Sequence, residues 1–241
     1  MQTKNTWYQN WFDTPFYHQL YNYRDDTEAE RFILNMMGFL QLPEKSRILD
    51  IPCGKGRHSV FLNKLGYRVY GADLSGQSIA YAKKYENEGL HFFEHDMLVP
   101  LSDKYDLILN LFTSFGYFDE SENLSVLQNF VKALNPGGLI VIDFLNIKRI
   151  QNNLVKSELI KRDGIIFNIS RNIVQDDLIK KIRFTTEGKD HEYEERVKCI
   201  GLEKFTEMAE SADLKIKRVF GDYDLNPYEE ENSERLIIIF K

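Results

Sequence analysis

Cysteine is almost absent from the 241 residues: Cys53 and Cys199 are the two in the chain. That is too few for a disulfide framework, and no Cys/His group stands at metal-ligand spacing, so a reducing cytoplasmic setting and no metal are expected. Long apolar runs are absent too. Nothing approaches a bilayer-spanning length, and the start, Met1-Gln2-Thr3-Lys4-Asn5-Thr6-Trp7, has no basic-then-apolar signal pattern, so no membrane is expected. An excess of positive charge is also missing. Lys plus Arg number 31 against 37 Asp plus Glu, for a net charge of −6. This leaves no electrostatic footprint for a phosphate backbone, and nucleic acid is not an expected partner. With no internal repeat and no low-complexity stretch, the whole chain should fold around one sizeable core with its decorations.

What is present is an alternation of periods. Ala29, Phe32, Ile33, Met36, Met37 and Leu40 follow helical spacing, and Pro43 follows. Arg47 to Ile51 is then a short apolar strand ending in a Gly turn, followed by a helix through Val60, Phe61 and Leu65 that closes at Gly66. Tyr67 to Gly71 reads as a strand, Ser78 to Tyr85 as a helix, His91 to Phe93 and Tyr105 to Asn110 as strands. Leu124, Leu127, Val131 and Leu134 mark another amphipathic helix, which Asn135-Pro136-Gly137-Gly138 terminates before a strand at Leu139 to Ile142. Such alternation implies an α/β doubly wound, parallel sheet with helices on both faces.

After Asp143 the texture changes. Ile165 to Val174, Leu178 to Thr186 and Glu192 to Ile200 mix β-branched and charged residues between turn signals, and read as a small inserted antiparallel sheet. A helix at Leu202 to Ala212 and strands at Leu214 to Phe220 and Leu236 to Phe240 complete the main fold, the last two as an antiparallel hairpin at the sheet edge. The expected division is 1–144 for the N-terminal arm and ligand-binding half, 145–200 for the insertion, and 201–241 for completion of the sheet.

In an open doubly wound sheet, ligands sit outside the carboxyl ends of the strands. The first turn there is Asp50-Ile51-Pro52-Cys53-Gly54-Lys55-Gly56, whose glycines let backbone approach a ligand. A dinucleotide would bring a doubly negative pyrophosphate and normally a third glycine, but position 59 is Ser and Asp50 stands at the strand end. S-adenosylmethionine has no phosphate, and its ammonium and sulfonium groups outweigh its carboxylate, so an acidic strand end suits it. Asp73, ending the second strand, is placed to accept both ribose hydroxyls. Asp96, ending the third, is placed to accept from the adenine amine.

These residues resemble the motifs of class I S-adenosylmethionine-dependent methyltransferases. Ile48 to Gly56 is similar to the first motif, Gly71-Ala72-Asp73-Leu74-Ser75 to the second, and His95-Asp96-Met97 to the adenine motif. Leu134-Asn135-Pro136-Gly137-Gly138 is similar to the turn before the fifth strand. The resemblance spans about residues 28 to 144 and implies a mostly parallel seven-stranded sheet with a reversed last strand. Asn110-Leu111-Phe112-Thr113-Ser114-Phe115-Gly116-Tyr117-Phe118 resembles the loop of glycine N-methyltransferases and amino-sugar N,N-dimethyltransferases, with Tyr117 where their His stands. The resemblance implies an inserted lid, Tyr21 and Arg24 closing over the methionine end, and cofactor contacts from Asp50, Gly54, Gly56, Asp73, Leu74, Asp96, Met97, Asn110 and Leu111. Tyr117 is the candidate catalytic residue, as a hydrogen-bond partner to a small-molecule methyl acceptor at an amine nitrogen; His18 is a second group able to relay a proton. In-line transfer from a sulfonium asks little else of side chains, since alignment alone can supply on the order of 7 to 11 kcal/mol.

Other readings stay beside this one. The aromatic start, Trp7, Tyr8, Trp11, Phe12, Phe16, Tyr17, Tyr21 and Tyr23, reads equally as a pocket wall or as an arm packed on the domain or on a homodimer partner. Cys53 reads as a small buried residue, and His58, His91 and His191 as structural or solvated. A nicotinamide oxidoreductase would use the same fold, although Asp50 and Ser59 oppose it. A non-catalytic S-adenosylmethionine-binding protein would keep the same pocket.

Overall fold

The computed structural model describes residues 7–21 and 26–241. Two short helices come first, α1 (Trp7–Phe12) and α2 (Pro15–Leu20). Thr14 caps α2, its hydroxyl accepting from the Tyr17 N–H at 3.2 Å. Then follow α3 (Asp26–Leu40), β1 (Arg47–Asp50), α4 (Arg57–Lys64), β2 (Arg68–Asp73), α5 (Gly76–Ala82), β3 (Leu90–Glu94), β4 (Tyr105–Asn110), α6 (Glu120–Lys132) and β5 (Leu134–Leu145). A short helix α7 (Ile147–Asn153) leads to β6 (Ser157–Arg162), β7 (Ile165–Val174), β8 (Asp177–Thr186) and β9 (Lys189–Lys198). The chain returns through α8 (Leu202–Ser211), β10 (Ile216–Phe220) and β11 (Arg235–Phe240).

The main sheet has the order β10-β11-β5-β4-β1-β2-β3. β11 is antiparallel to both of its neighbours, β10 and β5, while the other pairings are parallel. The architecture is thus the expected mixed α/β fold with the last strand reversed. The strands read as continuous apolar runs because successive side chains enter different cores. Leu49, Ile108, Ile140, Ile142, Ile238 and Phe240 pack with Val126, Leu127 and Phe130 of α6 and Phe205 and Met208 of α8. Ile48, Leu107, Leu109, Val141, Ile237 and Ile239 face the other way, onto Phe32, Ile33 and Met36 of α3, Leu62 of α4 and Ile79 of α5. Burial on both faces is what a parallel sheet between helix layers demands, and each such side chain contributes about 1.5–3 kcal/mol over its exposed state.

A second sheet, β6-β7-β8-β9, is antiparallel throughout. Its inner face carries Phe167, Ile169, Ile182 and Phe184, which bury Trp7, Trp11 and Leu20 of α1 and α2 in a third core.

Three local expectations are corrected. The segment Asn135 to Gly138 does not precede the fifth strand but lies within β5. Tyr105 pairs Leu134 and Leu107 pairs Leu139, so the extra residues bulge out of the ladder around Gly137 at φ 83°. The inserted sheet has four strands where three were expected. β6 was missed because its Ser-Glu-Leu-Ile-Lys-Arg sequence interleaves exposed Leu159 with less exposed Glu158 and Arg162, so hydrophobicity does not track the buried side. Asp96 lies two residues beyond the end of β3 rather than at it, in a turn where its carboxylate accepts the Leu98 N–H at 2.9 Å.

Candidate active site

β1, β2 and β4 end on one edge of the sheet, with Asp50 beside Gly71 and Leu109. The turn after β1 is held in place from β2, because Asp73 accepts the Gly54 N–H at 2.7 Å on one oxygen and the Ser75 N–H at 2.8 Å on the other. Burial raises the Asp73 pKa, and these two N–H groups oppose the rise. Gly54 and Gly56 both have positive φ, 55° and 84°, but for different reasons. A Cβ on Gly56 would lie 2.7 Å from Phe92 Cζ, whereas one on Gly54 would meet no protein atom within 4 Å, because that side is open cavity.

Asp50 and Asn110 back the turn from beneath. Ser59 Oγ donates to Asp50 Oδ2 at 2.6 Å, and Asn110 Nδ2 donates to the Ile51 carbonyl at 2.8 Å. Both residues are fully buried, and Asp50 Oδ1 and Asn110 Oδ1 have no hydrogen-bond partner. Burial pushes the Asp50 carboxyl up to about 7; the Ser59 bond opposes this and the Asp73 charge adds to it. Neither residue lines the cavity, so each acts on a ligand only through the turn above it or through its charge.

The cavity has a volume of about 1290 Å³ and reaches from this turn to the inserted sheet. Single-ligand sites run about 300–1,000 Å³, so there is room for a cofactor and a second small molecule. Gly54, Gly56, Asp73, Leu74, Asp96, Met97 and Leu111 line one end, together with Phe112, Thr113 and Ser114 after β4. Tyr117 lies where this end meets the N-terminal helices. Its ring packs edge-on against Trp7 at 5.1 Å, lies tilted against Phe12 at 5.6 Å, and stacks on Tyr8 at 6.3 Å. His18 also lines the cavity; burial and the nearby Lys55 lower its pKa to about 4, so it is uncharged at neutral pH and a weak proton acceptor.

The opposite wall is charged. Arg171, Lys180 and Glu195 are direct cross-strand partners on β7, β8 and β9. Glu158 of β6 pairs with Arg171, and Glu195 with Lys180 at 3.5 Å. The aromatic start attaches to this row: Trp11 Nε1 donates to Glu195 Oε1 at 2.7 Å, the Tyr21 hydroxyl donates to the same oxygen at 2.6 Å, and Lys180 Nζ donates to the Tyr21 hydroxyl. The two readings of the aromatic start therefore merge, since it packs on the insertion and walls the cavity. Arg24 and Tyr23 lie outside the described residues.

The sequence reading missed a polar cluster behind the loop after β4. Asp143, fully buried in β5, accepts from Arg235 Nε at 2.7 Å, from the Phe112 N–H at 2.9 Å and from the Tyr223 hydroxyl at 3.1 Å. The available signal was a carboxylate interrupting the apolar run Ile140-Val141-Ile142-Asp143-Phe144.

An acidic, glycine-turned strand edge opposite a separate polar wall fits a cofactor that carries positive charge and no phosphate. The unpartnered Asp50 oxygen and the open side of Gly54 agree with an occupant that carries positive charge and approaches backbone closely. Residues 48–138 match the sequence family described as methyltransferase domain, and the chain is an S-adenosylmethionine-dependent methyltransferase with a class I, Rossmann-like fold. Among its relatives, the protein named "Putative methyltransferase YqeM" of Bacillus subtilis (strain 168) is 26% identical over 210 residues, 81% of this chain and 83% of that one. Glycine N-methyltransferase of Rattus norvegicus is 30% identical over 129 residues, 46% of this chain and 44% of the rat protein, so the match spans less than half of that enzyme. The fold is shared with the crystal structure of a S-adenosylmethionine-dependent methyltransferase from Clostridium acetobutylicum ATCC 824. Its TM-score is 0.79 at 20% identity, covering 94% of this chain and 96% of that one. Among the described residues, no helix is long and apolar enough to cross a membrane, and no group of three or more His, Cys, Asp or Glu could hold a metal ion.

Proposed function

We propose that this methyltransferase acts on an amine nitrogen of a small polar molecule. The reading is carried by one observation: beyond the cofactor end, the cavity continues into a chamber walled by aromatic rings and by the charged row Glu158, Arg171, Lys180 and Glu195. A chamber of this chemistry suits a small charged or zwitterionic acceptor, and the rat relative is by name a glycine N-methyltransferase.

When bound, S-adenosylmethionine supplies a methyl group activated by its sulfonium. The chain's own residues have simpler duties. Backbone at Gly54 allows close approach, Asp73 accepts from the ribose hydroxyls, Asp96 accepts from the adenine amine, and Leu74, Met97 and Leu111 provide apolar walls. Asp50 lends negative charge from beneath the turn. The Tyr117 hydroxyl hydrogen-bonds the acceptor nitrogen and orients it, while Tyr21 and the insertion, residues 145–200, act as a lid that excludes water and holds the acceptor in line. The net charge of −6 favours a small acceptor over nucleic acid.

The test is a panel of glycine, sarcosine, an amino-sugar nucleotide and their hydroxy analogues, offered with S-adenosylmethionine. S-adenosylhomocysteine and methylated product are followed by mass spectrometry. Turnover of an amine but not of its hydroxy analogue is the expected result; methylation confined to oxygen or carbon acceptors, or no turnover at all, would sink it.

A further inference from the structure

The backbone after β4 adopts an unusual shape. Among the described residues, non-glycine positions with positive φ are mostly single turn residues such as Asp163, Gln175 and Glu187, each beside a hairpin turn. Phe112 (φ 57°) and Thr113 (φ 61°) differ: they are adjacent, one is aromatic and the other β-branched, and both line the ligand cavity. A β-branched residue in the left-handed region is a true outlier, because its Cβ crowds the following carbonyl. Strain of this kind persists only where the surroundings over-determine it.

Here the surroundings can be named. The Asp143 side chain accepts the Phe112 N–H at 2.9 Å, and the Asp143 main-chain carbonyl accepts the Thr113 N–H at 2.9 Å. Arg235, whose Nε is held by Asp143 at 2.7 Å, reaches on with Nη2 to donate to Thr113 Oγ1 at 2.9 Å. Tyr223 donates to Asp143 Oδ2 at 3.1 Å and places its ring 5.6 Å from that of Phe112. On the far side Phe112 stacks on His58 at 5.0 Å and lies under Arg57 at 4.9 Å, both in the first turn of α4. One buried carboxylate thus ties β5 and β11 to the two strained residues, and one of these, Phe112, touches the helix that starts at the Gly turn.

We propose that Asp143 is a positioning residue for cofactor binding: with Arg235 it clamps Phe112 and Thr113 in the left-handed conformation, and so fixes Leu111 and the loop wall against which the cofactor rests. The proposal rests on this cavity being the cofactor site, which the wild-type affinity measures separately. Asp143 works through the loop and touches no ligand itself. Its carboxylate is needed as an acceptor on both oxygens. An amide in its place keeps one acceptor and turns an N–H donor on either Arg235 Nε or the Phe112 N–H.

The test is calorimetric affinity for S-adenosylhomocysteine in four proteins: wild type, Asp143→Asn, Thr113→Gly and the double variant. Asp143→Asn is expected to weaken binding at least tenfold. Thr113→Gly, which can take positive φ without a clamp, is expected to restore most of that loss in the Asp143→Asn background. A carboxylate important only for packing would gain nothing from glycine at 113. Thr113→Val keeps the local shape, removes the Arg235 bond and resists positive φ, and serves if Asp143→Asn does not fold; it is expected to weaken binding severalfold. Wild-type affinity in Asp143→Asn or in Thr113→Val overturns the proposal, as does a double variant no tighter than Asp143→Asn. No detectable binding by the wild type would instead strike at the cavity assignment.

Discussion

The two walls of the cavity are built by different physics. The strand-end wall is fixed by backbone groups, with Asp73 holding the Gly54 and Ser75 N–H groups, Asn110 holding the Ile51 carbonyl, and the Cys53 N–H bonded to the Ala72 carbonyl at 2.8 Å. The lid wall is joined to the aromatic start by side chains far apart in sequence: Trp11 to Glu195 across 184 residues, Tyr21 to Glu195 across 174 and Lys180 to Tyr21 across 159. The strand-end wall cannot change shape without disturbing the main sheet. The lid wall can, because side-chain packing and ion pairs loosen without unravelling strands. Cofactor affinity should therefore follow the first wall and acceptor handling the second.

The sharpest way to break this contrast is Gly54→Val. A branched Cβ at φ 55° would enter the open cavity beside the turn, so S-adenosylmethionine binding should disappear while the fold persists by circular dichroism. If the folded variant binds normally, the turn is only a structural corner. Next in size is Trp11→Ala. Removing a fully buried Trp from the third core should cost about 3–5 kcal/mol. The lid should loosen, with calorimetric cofactor affinity kept within about tenfold, or ~1.4 kcal/mol. Complete loss of affinity in a folded Trp11→Ala protein would mean that the lid also builds the cofactor site.

The smallest effect concerns Asp50. Its carboxyl titrates near 7 in the folded protein against an ordinary value of 3.8. The folded chain therefore keeps a proton that the unfolded chain releases, and stability falls as pH rises from about 4 through 7. S-adenosylmethionine, net cationic, favours the ionised carboxylate, so its affinity should rise by about tenfold between pH 6 and pH 8. Asp50→Asn should flatten both profiles in thermal melts and calorimetry. A wild-type affinity independent of pH would remove Asp50 from any electrostatic role.

Much of the strand-end wall could be read locally. The Gly turn, Asp73 and the apolar strands announce themselves through spacing, because a parallel strand buried on both faces must be apolar along its length and a left-handed turn favours glycine. The same spacing put Asp50 and Asn110 at the ligand, where the fold sets them beneath the turn, since a strand-end position does not say which side of the turn a side chain takes. β6 escaped because its less exposed positions include Glu158, which pairs with Arg171 and lines the cavity instead of being buried among apolar side chains.

The layered parallel core, the acidic ligand edge and the class of cofactor are legible in the order of residues, because each rests on patterns local to single strands and turns. That Trp11 and Tyr21 meet Glu195, and that Asp143 and Arg235 meet at the strained loop, follows from the folded arrangement of the sheets. Pairings across some 90 to 180 residues leave no mark on local periodicity. They arise when strand order brings β5 beside β11, and when burial of the aromatic rings seats the first helices on the inserted sheet.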